Sequence, residues 1–83
     1  MLKISEKATV SPLADIEDSV KGSVIEIADG AAIDSFVKIK PAGGTGDVFI
    51  GENTTINSGC VIYTGNGLLI GRGCAIAHLI GHP

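Results

Sequence analysis

Large aliphatic residues recur every six positions through most of the chain: Ile4, Val10 and Ile16; Ile27, Ile33 and Ile39; Ile50, Ile56 and Ile62; Ile70 and Ile76. A period of six fits neither a helix nor a simple hairpin. These anchors open segments that align without gaps: ISEKATVSPLADI from Ile4, IADGAAIDSFVKI from Ile27, IGENTTINSGCVI from Ile50 and IGRGCAIAHLIGH from Ile70. The first three segments start 23 residues apart and the last starts 20 after the third. Self-similarity at a fixed spacing is the mark of a solenoid.

Four positions beyond each anchor stands a second small or apolar residue, giving the columns Ala8, Ala31, Thr54, Cys74 and Ala14, Val37, Cys60, Ile80. Two positions before each segment's first anchor lie Leu2, Ile25, Val48 and Leu68. Side chains alternate along a strand, so an anchor and the residue two before it face the same way. Each hexad therefore predicts a short strand and a turn. Three hexads make one triangular coil, and stacked coils pair each strand with those above and below. Gly30, Asn53, Gly59 and Gly73 fall three after an anchor, where a tight corner needs positive φ. The stretches from Lys40 to Phe49, from about Glu17 to Glu26 and from Tyr63 to Leu69 close the third side, and their extra length predicts outward loops.

The composition agrees with strands and turns. Aromatic residues make up 4% of the chain and Trp is absent, whereas Gly reaches 12 and the apolar mass is mainly Ile, Val and Ala. The 83 residues are read as a single domain, 1–83. A formal net charge of −3 with scattered basic residues gives no footprint for nucleic acid or anionic lipid, so neither partner is expected. No apolar run reaches membrane-spanning length and no leader pattern opens the chain, so the expected compartment is the cytoplasm. Cys60 and Cys74 lie in different columns and are expected to be reduced, inert and packed as small residues.

The consensus of an aliphatic residue, a small or acidic one, two variable positions and a small one resembles the hexapeptide-repeat acyltransferases. The stretches IGENTTINSGCVIYTGNG and IDSFVKIKPAGGTGD are similar to bacterial sugar O-acetyltransferases of that superfamily, and the likeness spans roughly residues 10–77. The fold so implied is a single-stranded left-handed parallel β-helix of about four coils; the usual crossover rule would favour the opposite hand. The activity implied is transfer of an acetyl group from acetyl-coenzyme A, as cosubstrate, to a sugar or similar hydroxyl. The assembly implied is a homo-oligomer, a trimer with its cleft between subunits, and no metal is required.

Relatives use a His as general base, a role suited to a group titrating near neutrality. This chain offers His78 and His82. His82-Pro83 is similar to the His-Pro pair of the maltose and galactoside acetyltransferases, which makes His82 the candidate catalytic residue. In those relatives the His lies about one hexad later and more coils follow, so the chain reads as a C-terminally abbreviated relative. In strict register His82 falls on an inward anchor position, a poor place for an unpaired imidazole; the last residues are expected to leave the repeat. The alternative from another class is a non-catalytic oligomeric β-helix, a scaffold or interaction protein that keeps the fold without the chemistry.

Other patterns add little chemistry. Pro41-Ala42-Gly43-Gly44-Thr45-Gly46-Asp47 has the glycines of a phosphate loop but no Lys and leads into a strand, so it is read as a turn. Asp34, Asn57 and Lys38 project outward near the second corner, where they would meet an acceptor or coenzyme A if a cleft forms there, and are otherwise solvated surface. Asn53-Thr54-Thr55 matches a glycosylation sequon that a cytoplasmic protein would not use. A γ-type carbonic anhydrase needs three zinc-binding His, and an ice-binding β-helix needs ladders of Thr; the chain has neither. The apolar outside is more telling: Leu13, Phe36 and Leu79 share one corner column, and Phe49 and Leu69 share one outward strand column. Stacked exposed apolar residues predict a subunit interface. The open edges of the last coil, around Ile76 and Ile80, offer end-to-end association as a second contact.

Overall fold

The structure is a computed structural model that describes residues 1–77. Those residues form eleven short strands and no helix: β1 Leu2–Ile4, β2 Thr9–Val10, β3 Asp15–Ile16, β4 Ile25–Ile27, β5 Ala32–Ile33, β6 Lys38–Lys40, β7 Val48–Ile50, β8 Thr55–Ile56, β9 Val61–Tyr63, β10 Leu68–Ile70 and β11 Ala75–Ile76. Every pairing is parallel. The strands stack as β1-β4-β7-β10, β2-β5-β8-β11 and β3-β6-β9, which we call faces A, B and C. The chain is thus a three-sided β-solenoid of three complete coils and two strands of a fourth, close to the four coils the hexads predict.

The register is the repeat made physical. Ile4, Ile27, Ile50 and Ile70 stack on face A, Val10, Ile33, Ile56 and Ile76 on face B, and Ile16, Ile39 and Ile62 on face C. Ile25, Ile27, Ile33, Val37, Ile39, Val48, Ile50 and Ile56 are buried, with Ala31, Thr54 and Cys60 filling the positions four beyond the anchors. Each such Ile removed from water contributes about 1.5–3 kcal/mol, which makes the aliphatic columns the main source of stability. Strands of two or three residues hold because each backbone group also pairs across coils, as in Thr9 N to Ala31 O at 2.8 Å and Lys38 N to Cys60 O at 2.8 Å.

The corners between faces A and B and between faces B and C are tight. Gly30, Asn53, Gly59 and Gly73 all carry positive φ, as their place after the anchor requires. The first coil turns differently at these points. There Ser5 Oγ accepts from Lys7 N at 3.0 Å and Ser11 Oγ accepts from Leu13 N at 3.1 Å, hydroxyl-capped turns that do not rely on glycine. Phe36 is the exception in the second coil, with φ +62° and its N–H donating to Leu13 O at 3.1 Å. A bulky residue in this region is strained.

The corner between faces C and A carries the longer segments, which pack coil against coil while their tips, such as Val20 and Gly43, stay exposed. Residues 17–24, 41–47 and 64–67 stack on one another. Ser23 Oγ donates to Thr45 O at 2.7 Å, Val24 N to Asp47 Oδ1 at 2.9 Å, Gly46 N to Gly65 O at 3.1 Å and Leu68 N to Asp47 O at 3.0 Å. The loops lie close because glycine faces glycine: a Cβ on Gly44 would fall 2.0 Å from Gly65 O, and one on Gly46 2.0 Å from Asn66 C.

Candidate functional site

Two outward regions combine charge with shape. The first is a shallow hollow of about 470 Å³ on face A and its corner with face B, lined in part by Lys3, Ser5, Glu26, Asp29, Phe49 and Glu52. Register places Lys3, Glu26, Phe49 and Leu69 in one outward column. At the rim, Ser5 Oγ donates to Asp29 Oδ1. Three carboxylates against one ammonium make the hollow acidic, an arrangement that favours a cation over an anion.

The second region is face C with its adjoining corner. Asp15, Lys38 and Val61 form one outward column, and Lys40 pairs beside Tyr63 at the strand ends. Lys40 Nζ lies 2.6 Å from Asp15 Oδ2 and 3.8 Å from Glu17 Oε2. The hydrogen bond from Lys40 holds the Asp15 carboxyl below its ordinary value, and in return Asp15 holds the Lys40 ammonium above its own. Leu13 and Phe36 flank this face, 58% and 63% exposed.

The residues singled out from the sequence distribute as follows. Asp34 and Asn57 are exposed and follow consecutive anchors in one column beside the B–C corner, with Asp34 Oδ1 accepting from Ser35 N at 2.7 Å. Lys38 stands across that corner on face C. Of the apolar set, Leu13 and Phe36 stack through the backbone bond given above, while Phe49 is half-buried and Leu69 is 77% exposed. His78, Leu79, Ile80 and His82 lie outside the described residues. Both cysteines are free; Cys60 is packed in the core as expected, but Cys74 is exposed.

The run from Pro41 to Asp47 opens with a turn, as read. Gly44 N donates to Pro41 O at 3.0 Å across Ala42 and Gly43, both at positive φ, the geometry of a mirror-image turn. Gly46 N donates to Gly65 O of the next coil at 3.1 Å. Among the described residues no cluster of three or more His, Cys, Asp or Glu is placed to hold a metal ion. The acidic hollow escaped the sequence reading. Its one signal was the alternation of charge between anchors, Lys3 within Leu2–Ile4 and Glu26 within Ile25–Ile27, which is also how an ordinary solvated strand looks.

No family model, curated protein or solved structure matches the chain.

Proposed function

We propose that the chain is an acetyl-coenzyme A dependent O-acetyltransferase of the hexapeptide-repeat type, acting on a sugar or similar hydroxyl and working as a homo-oligomer, with a trimer the expected state. The observation that supports this reading is the hexad itself. Its anchors, its small residues four positions on and its positive-φ corners carry the likeness to that superfamily, and all three take part in the stacked coils. A left-handed winding and a cytoplasmic location accompany the same likeness.

In the proposed reaction His82 takes the acceptor's hydroxyl proton as the oxygen attacks the thioester carbonyl. The coenzyme A thiolate then leaves and recovers a proton from the imidazolium, so one acetyl ester forms as one thioester breaks. The exposed Leu13, Phe36 and Leu69, with half-buried Phe49, supply apolar surface for the contact between subunits, a role proposed for Leu79 as well.

The test is isothermal titration of acetyl-coenzyme A into the purified chain, with its mass in solution measured in parallel. Saturable binding to an oligomer, followed by loss of acetyl transfer to a panel of sugars in His82→Ala, is the expected result. A folded oligomer that binds no acetyl-coenzyme A at millimolar ligand overturns the enzymatic reading. It would leave a scaffold whose apolar columns serve assembly alone.

A further inference from the structure

The first coil is built like the second, yet only the second is sealed. Ile25, Ile27, Ala31, Ile33, Val37 and Ile39 of the second coil are 0–2% exposed. Their counterparts one coil below are open: Leu2 and Ile4 are 38% and 42% exposed, and Ala8, Val10, Ala14 and Ile16 are only partly buried. The backbone has the same deficit. The carbonyls of Ile27, Ile33 and Ile39 point towards the first coil and accept from Ser5 N, Ser11 N and Glu17 N, each at 2.9 Å. By the same alternation the carbonyls of Ile4, Val10 and Ile16 point away from the second coil, and β1, β2 and β3 are edge strands of their sheets. Unpaired edges around an apolar section call for a cover.

A cover that satisfies all three edges must itself be three-sided, with unpaired strands around an apolar centre. The first coil of another copy has that form. Its outward strand residues are Lys3 on face A, Thr9 on face B and Asp15 on face C, six positions apart. Two such ends superpose about a two-fold axis through face A, B or C. An axis through A sets Lys3 on Lys3, and one through C sets Asp15 on Asp15. An axis through B sets Thr9 on Thr9 and Lys3 on the partner's Asp15, twice. Equal hexads carry the same rotation inward, so Leu2 meets the partner's Ile16, Ile4 meets the partner's Ala14 and Val10 meets the partner's Ala8. The junction is antiparallel. Leu2 and the partner's Ile16 take hydrogen-bonding positions, while the outward pairs fall where side chains approach more closely. Like charges penalise the other two orientations.

We propose that the first coil docks end to end on the first coil of a second copy, head to head, with the two-fold axis through face B at Thr9. Among the described residues Lys3 has no ion pair within the chain, so its charge is free for the partner, whereas Asp15 is shared with Lys40. The contact uses the same patch on both copies and therefore closes at two units. It seals the apolar end of each solenoid and continues all three sheets across the junction. This inference concerns the end of the solenoid, not its sides, and does not rest on binding of acetyl-coenzyme A.

The experiment is sedimentation equilibrium of the full chain and of Thr9→Asp and Thr9→Lys, with melting curves confirming that each is folded. Thr9 is exposed and stacks on Ala32, so neither charge meets another in its own face B column. Each variant alone sets like charges together on the axis and is expected to weaken the doubling of mass roughly tenfold or more. An equimolar mixture of the two should recover it. Orientation is read by oxidising Thr9→Cys in a Cys74→Ser background, Cys60 being buried. A disulfide dimer is expected from that chain. None is expected from Ala32→Cys in the same background, which lies on the same face one coil further from the junction. A parent chain that does not double, variants without effect, a mixture that does not recover, or no Thr9→Cys dimer would each overturn the proposal. Equal crosslinking through Ala32→Cys would also overturn it, since the copies would then meet side by side.

Discussion

The two tight corners and the looped corner solve the same problem, turning a chain by about a third of a circle, with different physics. At the A–B and B–C corners after the first coil, one residue at positive φ reverses the backbone while its N–H donates to the coil before, as from Gly30 N to Lys7 O at 3.1 Å, and the next inward residue returns to the core. At the C–A corner the turn is collective. Residues 17–24, 41–47 and 64–67 hold their shape by hydrogen bonding to one another across coils. The tight corner can be written by one residue type at one position, whereas the collective corner depends on what the neighbouring coil places against it.

The sharpest test of that difference is a single methyl group. In Gly46→Ala the new Cβ falls 2.0 Å from Asn66 C and 2.1 Å from Gly67 N, with backbone on the receiving side. Moving away would break the bond from Gly46 N to Gly65 O. We expect destabilisation of about 3 kcal/mol or more, read as a lower urea midpoint. Gly73→Ala at a tight corner meets no described atom within 4 Å and faces only its φ of +68°. Its cost should be about 1–2 kcal/mol. Equal costs would mean that the looped corner gives way and is not the rigid stack inferred here.

This contrast explains what could be read from the sequence. The anchors, the positions four beyond them and the glycines three beyond them were legible because a six-residue period repeats the same local requirement, as at Ile27, Gly30 and Ala31 or Ile50, Asn53 and Thr54. The loop stacking was not. Gly44 and Gly46 read only as part of a turn until Gly65 and Asn66 are known to lie against them. Phe36 stands three beyond Ile33, the position that calls for positive φ, although its residue type argues against that conformation. The candidate surfaces were half legible: exposed Leu13, Phe36 and Leu69 stood out by being apolar, but that Lys3 stacks on Glu26 beside the acidic hollow, and Asp15 on Lys38, follows only from the register.

Two buried threonines carry the comparison to single hydroxyls. Thr54, at the tight corner of the third coil, donates from Oγ1 to Gly71 O at 2.6 Å and accepts from Cys74 N at 3.2 Å, tying two coils together. Thr64 begins the looped corner, and its buried Oγ1 has no hydrogen-bond partner among the described residues. Replacing Thr54 by Val leaves a carbonyl and an amide unpaired and should cost about 2 kcal/mol. Thr64→Val removes an unpaired buried hydroxyl, so it should be neutral or stabilising by up to about 1 kcal/mol. Paired melting curves decide the matter. A large loss in Thr64→Val would show that its hydroxyl has a partner after all.

Phe36 separates corner strain from surface contact. Phe36→Gly relieves a bulky side chain at φ +62° and, because the ring is 63% exposed, gives up little burial within the chain. Folding stability should rise by about 1 kcal/mol or stay level. If the ring instead serves the contact between copies, association weakens in the same variant. Melting at a concentration where the chain is monomeric, set beside its mass at high concentration, distinguishes the two effects.

The smallest expected effect is electrostatic and belongs to face C just before the looped corner, where Lys40 joins Asp15 and Glu17 of the preceding coil. Asp15 titrates below its ordinary 3.8 because Lys40 hydrogen-bonds to the charged form. A carboxyl lowered in the folded state contributes stability above its unfolded pKa and loses it as pH falls through the folded one. Lys40 is raised above its ordinary 10.5 by the same bond, so its contribution is present below that value and lost as pH rises through the folded pKa. Stability should therefore dip slightly at both extremes and be level between them. The pair is exposed and screened, so the dips should shrink in high salt. In Lys40→Met both should be reduced together. If only the acid dip changes, Asp15 finds its stabilisation elsewhere and the ion pair across the first two coils contributes nothing to the corner that follows it.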